Sequence, residues 1–190
     1  MPRRDRRAVF LDRDGTINIE VDYLANPDDF EFIPGAVEAL RELASAGFAL
    51  VVVTNQSGIA RGLLDETTLG LIHQRMVDEL RRSGVQLDWI GFCPHHPDVG
   101  TLSYRARCSC RKPQPGMLLA AAGHLGIDLD ASFCVGDSLR DVEAAEAVFV
   151  EGILVRTGKG AAQEQIAADA GREERVVDDL QAAARYILGL

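Results

Sequence analysis

Three aspartates of this 190-residue chain lie in short polar segments that each follow a run of apolar residues. Asp12 and Asp14 occur in DRDGT, directly after AVFL, and Asp137 begins DSLRD, directly after FCVG. Carboxylates that converge without a pairing partner repel one another unless a hard cation lies among them. Magnesium accepts a few carboxylates and completes its coordination with water and phosphate oxygens. The three aspartates therefore predict a magnesium site.

The same aspartates are suited to phosphoryl transfer. A carboxyl group with a pKa of about 4 is already ionised at neutral pH, so Asp12 needs no neighbouring base to attack phosphorus, whereas a serine would. Once a metal ion and Lys112 offset the charge of the phosphate, Asp12 can form an aspartyl-phosphate. Asp14 can then protonate the leaving oxygen and later activate water.

A parallel sheet is the element that would bring these segments together. Apolar runs rich in β-branched residues predict short buried strands, and apolar residues at helical spacing predict helices between them. This alternation indicates an α/β fold, a Rossmann-like three-layer sandwich with a parallel central sheet, in one domain over residues 1–190. Ligands bind beyond the carboxyl ends of such strands. The predicted strands are residues 8–11, 48–53, 89–93, 133–135 and 153–155.

Two predicted loops, residues 15–33 and 94–114, are long for connections in a compact domain, and such length usually indicates a functional role. The second loop supplies Lys112, and TNQSG, at the end of the second strand, supplies Thr54. By contrast, we interpret the polar, alanine-rich segment 158–174 as a surface connection with one weak helix.

Composition limits the partners and the compartment that we expect. The net charge of −9 argues against a general nucleic-acid binder, because affinity for a duplex depends largely on clustered cations. Only four apolar residues directly precede Asp12, too few for a signal-peptide core or a membrane span. We therefore expect a cytoplasmic monomer that acts on a small molecule, with neither nucleic acid nor a membrane as partner.

Three cysteines and a histidine in CPHHPDVGTLSYRARCSC form the ligand set of a closed structural zinc site. Disulfides are rare in the cytoplasm, so the main alternative is reduced thiols without a metal, and His96 could replace His95. Zinc would order residues 93–110, called here the zinc loop, and so fix the backbone beside Lys112. The candidate ligands are Cys93, His95, Cys108 and Cys110.

Four segments, VFLDRDGT, VVVTNQSG, CRKPQPG and VGDSLRD, resemble in order the four motifs of the haloacid-dehalogenase superfamily of phosphotransferases. The resemblance spans most of the chain. It implies that Asp12 is the nucleophile, that Asp14 is the general acid and base, and that Thr54 and Lys112 bind phosphate. It also implies that Asp137 binds magnesium together with Asp12 and the main-chain carbonyl of Asp14.

The zinc loop resembles that of a small branch of the superfamily that has no cap domain. This branch includes D,D-heptose 1,7-bisphosphate phosphatases and histidinol-phosphate phosphatases, and TNQSGIARG, CPHHP, RKPQPGM and ILVRTGKG favour the heptose type. The implied reaction removes the C7 phosphate of D-glycero-D-manno-heptose 1,7-bisphosphate during synthesis of nucleotide-activated heptose for lipopolysaccharide or other surface glycans. The alternatives are a histidinol-phosphate phosphatase and a zinc-stabilised binding module without catalysis.

An enzyme without a cap must recognise its substrate with loops. INIEVDYLANPDDFEF offers acceptors for sugar hydroxyls, and two arginines, Arg61 and Arg111, could bind a second phosphate or simply pair with surface carboxylates. The residues that we expect to contact the substrate are Arg13, Asn55, Gln56, Arg61 and Arg111.

Two positions depart from the pattern or leave a choice open. Ser138 follows Asp137 where many heptose-phosphate relatives carry a lysine, so the resemblance assigns no role to this position. Asp141 is the natural second carboxylate of the fourth motif, and it either touches magnesium or orients Lys112.

Overall fold

In the computed structural model, which describes residues 5–101 and 103–190, the apolar runs form a parallel sheet. All five predicted strands are confirmed, with ends shifted by at most two residues, and the short sixth strand is one that the sequence does not predict. The strands are β1 (Ala8–Leu11), β2 (Ala49–Asn55), β3 (Trp89–Cys93), β4 (Phe133–Gly136), β5 (Glu151–Val155) and β6 (Val176–Val177). Their order across the sheet is β3-β2-β1-β4-β5-β6.

Helices cover both faces of this sheet, which confirms the predicted three-layer α/β fold. Buried residues of the first, second and sixth helices pack on one face, and those of the third and fourth pack on the other. The segment 158–174, interpreted as a surface connection with one weak helix, contains the fifth helix. The helices are α1 (Ala36–Ser45), α2 (Glu66–Arg82), α3 (Gly116–Leu125), α4 (Leu139–Glu146), α5 (Gly160–Asp169) and α6 (Leu180–Leu188).

The central strands are buried on both sides, as expected for a parallel sheet between helical layers. In β1, Val9 and Leu11 join the core under α1 and α6, whereas Ala8 and Phe10 join the core under α3. All four residues are 0% exposed. This packing on two sides holds the carboxyl end of β1, and with it Asp12, in a fixed place.

The two long loops leave the carboxyl edge of the sheet. Residues 15–33 contain a short 3-10 helix at Pro27–Asp29, and an isolated bridge joins Asn18 to Phe32. Among the described residues, no helix is both long and apolar enough to cross a membrane. The expectations of one domain, a monomer and a cytoplasmic location stay predictions.

Gly15 allows the chain to turn sharply after β1. Its φ of 77° lies in the left-handed region, which glycine adopts without steric cost. A Cβ at this position would lie 2.1 Å from Asp137 Oδ2 and 3.1 Å from the Cα of Gly158. The turn is therefore packed tightly against the residue that follows β4.

We expect Gly15→Ala to lower the free energy of unfolding by more than Gly47→Ala does. Gly47 also has a positive φ, 86°, so alanine costs about 1–2 kcal/mol in backbone strain at either position. A Cβ at Gly47 would meet nothing within 4 Å, whereas at Gly15 overpacking adds roughly 1–3 kcal/mol. Urea denaturation of both variants measures the difference. Equal losses would mean that the turn has room for a side chain.

Candidate active site

The carboxyl ends of β1, β2 and β4 open into one cavity of about 290 Å³. Buried and half-buried polar residues lie at its base, and more exposed charged residues surround its mouth. The base includes Asp12, Asp14, Thr54, Lys112, Asp137 and Asp141. The mouth includes Glu20, Asp22, Arg61, Arg111, Arg140 and Lys159.

Three carboxylates converge at the base of the cavity. Asp12, Asp137 and Asp141 each offer an oxygen that lies within 4.8 Å of the other two. Burial raises the pKa of Asp137 to about 8, and repulsion from Asp12 adds to the shift. A hard divalent cation would relieve this repulsion and favour the ionised carboxylates, so the donor set fits magnesium.

Lys112 lies beside these carboxylates with its ammonium almost fully buried. Its Nζ is 3.0 Å from Asp12 Oδ1 and 2.5 Å from Asp141 Oδ1, and it donates to the Val53 carbonyl at 2.6 Å. Burial alone would lower the pKa of Lys112, but the carboxylates of Asp12 and Asp141 raise it above its ordinary value. Lys112 is therefore a permanent cation next to Asp12.

The contacts of Asp141 bear on the choice that the sequence leaves open. One of its oxygens contacts Lys112, and the other accepts the Ser138 main-chain N–H at 3.1 Å. Ser138 and Asp141 together form a capping box at the start of α4. These contacts favour orientation of Lys112 as the role of Asp141, although its carboxylate also belongs to the acidic cluster.

Asn55 and Gln56 line the cavity, but their side-chain amides hold other site residues. Asn55 accepts the main-chain N–H of Lys112 at 3.1 Å and donates to its carbonyl at 3.0 Å. Gln56 donates to Asp14 Oδ2 at 2.8 Å and to Thr54 Oγ1 at 2.9 Å. Both amides therefore position other residues of the site. This is a role that the sequence analysis, which expects Asn55 and Gln56 to contact the substrate, does not include.

Arg13 is one of the residues expected to contact the substrate, but its side chain does not line the cavity. Arg13 is 0% exposed and points into the protein, where its Nη2 donates to both oxygens of Asp14 at 2.7 Å. Asn18 also donates to the Asp14 carboxylate, at 3.0 Å. Burial would raise the pKa of Asp14, but the Arg13 guanidinium beside it holds that pKa below its ordinary value.

Asp14 consequently contributes no side-chain oxygen to the acidic cluster. The resemblance assigns to it a main-chain carbonyl rather than a carboxylate as magnesium ligand, and that assignment stays a prediction. The geometry instead leaves the Asp14 carboxylate at the base of the cavity, held by neighbouring side chains.

The zinc loop brings its four candidate ligand atoms together. The three sulfur atoms lie 3.3–3.5 Å apart, and His95 Nδ1 lies 3.6 Å from the Sγ atoms of Cys93 and Cys110. A tetrahedron with Zn–S bonds of about 2.3 Å and a Zn–N bond of about 2.0 Å has edges of about 3.5–3.8 Å. Without a metal, burial raises the pKa of the Cys93 thiol. The cluster therefore fits a metal ion that stabilises thiolates.

His95, and not His96, lies in this cluster. His96 instead accepts the main-chain N–H groups of Asp98 and Val99 with its Nδ1, and its Nε2 is 3.4 Å from Arg61. The His96 ring thus stabilises the turn formed by residues 96–99 and lies at the cavity mouth.

Arg61 and Arg111 both line the cavity at its mouth. Arg111 donates to the His95 carbonyl, and Arg61 lies over the Tyr23 ring with its Cζ 5.8 Å from the centroid. Neither arginine forms an ion pair with a carboxylate in the described part of the chain, so the surface-pairing alternative does not describe them. Burial lowers the pKa of Arg111, and the nearby guanidinium of Arg140 contributes to the lowering.

Sequence reasoning missed two cations at the mouth, Arg140 and Lys159. Lys159 donates its main-chain N–H to Asp137 Oδ2 at 2.8 Å, and its Nζ is 3.0 Å from Glu20. A signal for Lys159 was present, because RTGKG directly follows β5 at the same edge of the sheet. The signal for Arg140 was weaker, because the side-chain direction within the first turn of α4 decides whether it reaches the cavity.

Comparison with known proteins gives consistent matches. Residues 109–183 match a hydrolase-like family model described as HAD-hydrolase-like. D-glycero-β-D-manno-heptose-1,7-bisphosphate 7-phosphatase from Photorhabdus laumondii is 54% identical over 153 residues, which are 80% of this chain and 81% of that protein. The protein of the same name from Escherichia coli K12 is 53% identical over 80% of each chain.

Solved structures agree with these sequence matches. The crystal structure of D,D-heptose 1,7-bisphosphate phosphatase from B. bronchiseptica, complexed with magnesium and phosphate, has a TM-score of 0.85 and 39% identity. The alignment covers 96% of this chain and 98% of that one. The enzyme of the same name from Burkholderia thailandensis has a TM-score of 0.71 and 35% identity, with 97% and 100% of the two chains covered.

We expect the purified chain to carry one tightly bound zinc ion and Cys108→Ser to lose most of it. The serine hydroxyl replaces one of three thiolates, which are the preferred zinc ligands at such a site. Cys134→Ala is the matched control, because Cys134 is buried in β4 outside the cluster. Metal analysis and thermal denaturation of both variants test this. Equal zinc content in wild type and Cys108→Ser would contradict the assignment.

Proposed function

Since the chain belongs to the family of D-glycero-β-D-manno-heptose-1,7-bisphosphate 7-phosphatases, we propose that it hydrolyses the C7 phosphate of that bisphosphate. The products are heptose 1-phosphate and inorganic phosphate. We assign the β anomer because the relatives at 53–54% identity are named for it. The reaction would serve the synthesis of nucleotide-activated heptose.

The main support for this proposal comes from the charged groups that surround Asp12. A carboxylate lies beside a buried ammonium, at 3.0 Å from Lys112, and within 4.8 Å of oxygens from Asp137 and Asp141. This arrangement offers a nucleophile, a fixed cation and a place for a divalent ion at one end of one cavity. Few reactions other than phosphoryl transfer need all three together.

Asp12 and Asp137, with the main-chain carbonyl of Asp14, would hold magnesium, and the bound ion supplies charge that offsets the phosphate oxygens. Lys112 and Thr54 bind the same phosphate from the protein side. Lys112 approaches it as a buried cation, and Thr54 offers a hydroxyl that is held by Gln56. Both residues thus lie ready at the base before substrate arrives.

Asp12 is oriented for attack before substrate binds. Its Oδ1 accepts the Arg13 main-chain N–H at 2.8 Å and lies next to Lys112. The carboxylate forms a bond to phosphorus while the bond between phosphorus and the C7 oxygen breaks, and the electron pair leaves with that oxygen. The product of this half-reaction is an aspartyl-phosphate on Asp12.

Asp14 moves the protons in both halves of the reaction. It gives a proton to the departing C7 oxygen, and it then takes a proton from the water that attacks phosphorus in the aspartyl-phosphate. The bond between phosphorus and the Asp12 oxygen breaks in this second half, which releases inorganic phosphate and restores the Asp12 carboxylate. Arg13 lowers the pKa of Asp14 at rest, although burial acts in the opposite direction. The negative charge of an arriving phosphate favours the protonated form that the first half requires.

The zinc loop has a structural role in this proposal. Cys110 is two residues from Lys112 in the chain, and Gly116 donates its main-chain N–H to the Ser109 carbonyl at 2.9 Å. Three thiolates and one imidazole complete a tetrahedral site, so no coordination position is left for substrate. The bound metal would hold the backbone that carries Lys112 and Arg111.

The charges at the cavity mouth support a bisphosphate over histidinol phosphate. Arg61 and Arg111 could bind the second phosphate, and the carboxylates of Glu20 and Asp22 could accept hydrogen bonds from sugar hydroxyls. Histidinol phosphate carries an ammonium group in place of a second phosphate, and the two guanidiniums would repel it. The retained Asp12, Asp14 and Lys112 argue against a binding module without catalysis.

A substrate panel tests the choice between these enzymes. We expect kcat/KM for the β anomer of heptose 1,7-bisphosphate to exceed that for histidinol phosphate and fructose 1,6-bisphosphate by at least tenfold. Tenfold corresponds to about 1.4 kcal/mol of transition-state stabilisation. The α anomer is included to test the anomeric assignment. A tenfold preference for histidinol phosphate would overturn the proposal.

We expect Asp12→Asn to lower kcat by roughly 10,000-fold or more, because an amide is not a nucleophile towards phosphorus. Far-ultraviolet circular dichroism should stay unchanged. Asp130→Asn is the control, since Asp130 is exposed and lies outside the cavity. Turnover by Asp12→Asn near the wild-type rate would exclude Asp12 as nucleophile.

A further inference from the structure

Arg140 is a cation of the cavity mouth to which the reaction proposed above gives no role. It is the second residue of α4, and its side chain is exposed. In the described part of the chain it forms no ion pair with a carboxylate. By contrast, Lys159 at the same mouth pairs with Glu20.

The position of Arg140 in α4 is unfavourable on electrostatic grounds alone. The N-terminus of a helix carries a partial positive charge, which favours acidic side chains and disfavours a cation by about 0.3–1 kcal/mol. The neighbouring residue Asp141 carries the negative charge that a helix N-terminus favours, but its carboxylate already contacts the Lys112 ammonium and accepts the Ser138 main-chain N–H. Glu143, three residues further along α4, pairs with Arg172, so no ion pair among the described residues of α4 accounts for an arginine at this place.

The first main-chain N–H groups of α4 are already satisfied by the protein. Leu139 donates to Gln163 Oε1 at 3.2 Å, Arg140 to Ser138 Oγ at 3.4 Å, and Asp141 to the Ser138 carbonyl at 2.9 Å. The helix end thus has no free donors for an anion. Attraction of an anion to this corner must come from the guanidinium itself.

Arg140 lies on a wall shared by two adjoining cavities. His96, Arg111 and Lys112 line both the cavity above Asp12 and a second cavity of about 660 Å³ beside the zinc loop, and so does Arg140. Arg61 lines the first cavity and contacts His96. Among the residues that the structure describes, three guanidiniums that pair with no carboxylate are thus gathered at one place, in a chain with a net charge of −9.

Like charges held close together repel one another, and Arg61, Arg111 and Arg140 all line the mouth of the same cavity. A dianionic phosphate would turn this repulsion into attraction, and guanidinium forks can bind phosphate oxygens in pairs. The base of the cavity already binds the phosphate that reacts. The arginine cluster at the mouth is therefore suited to a phosphate at the other end of the same substrate.

We propose that Arg140 completes, with Arg61 and Arg111, a subsite for the phosphate that is not cleaved, and that it sets the preference for bisphosphates over monophosphates. This inference rests on the proposed function, since it concerns the same cavity. Arg140 is a specificity residue here and takes no part in bond breaking.

The test compares heptose 1,7-bisphosphate with heptose 7-phosphate, which lacks only the distal phosphate. We expect Arg140→Ala to lower kcat/KM for the bisphosphate by about tenfold and for the monophosphate by no more than about twofold. The loss should appear in KM rather than kcat. Arg140→Lys, which keeps the charge without the fork, should lose less.

Arg82→Ala is the matched control, because Arg82 is an exposed arginine at the end of α2 that does not line the cavity. Arg82→Ala removes the same charge and should leave kcat/KM unchanged for both substrates. Parallel losses for both substrates in Arg140→Ala would overturn the inference. So would an unchanged preference for the bisphosphate.

A binding measurement separates this inference from the proposed function. Titration calorimetry with heptose 1-phosphate, the proposed product, needs no turnover, and Arg140→Ala should raise its Kd about tenfold, or about 1.4 kcal/mol. Failure of wild type to hydrolyse the bisphosphate would contradict the proposed function alone. An unchanged Kd in Arg140→Ala would contradict the subsite alone.

Discussion

The buried ammonium of Lys112 is the constraint on which the site depends. Removing a cation from water costs several kcal/mol unless its partners are close and well oriented. Asp12 lies at the end of β1, the Val53 carbonyl belongs to β2, and Asp141 belongs to α4. These elements must therefore keep their relative places for Lys112 to stay charged inside the protein. The sheet and the capping box of α4 provide that rigidity.

The chain segment that carries Lys112 has little regular structure, so other contacts must order it. Asn55 makes two hydrogen bonds to the Lys112 main chain, and the cysteine and histidine cluster of the zinc loop lies directly before it. Ordering a residue costs about 1–2 kcal/mol in backbone entropy, so a long irregular loop needs such fixed points. A metal among four side chains and an amide from β2 act on the same short segment. This explains why Asn55, in the second motif, makes hydrogen bonds to Lys112, in the third motif.

The sequence was sufficient for the α/β fold and for the convergence at the strand ends, because buried strands and the residues after them leave direct signals. It was not sufficient for the direction of individual side chains. Arg13 lies in a bend between Asp12 and Asp14, and its side chain is buried in the protein, where it donates to the Asp14 carboxylate. Asn55 and Gln56 are polar and lie next to Thr54, but long-range partners decide that their amides hold Lys112 and Asp14. Such partners are distant in sequence, so local patterns carry no record of them.

Charged side chains at the mouth of the cavity act on a ligand before it reaches the base. An acidic protein repels phosphorylated substrates at long range, and ions screen this repulsion beyond about 8–10 Å. Within that distance the nearest side chains determine the interaction, and they include Arg61, Arg111 and Arg140 around the opening and the ammonium of Lys112 at the base. A ligand with phosphates at both ends satisfies both groups of cations at once, whereas a monophosphate leaves one group unpaired. Cations at both ends of the cavity would therefore favour a ligand with two phosphates over a ligand with one, as the proposed subsite requires.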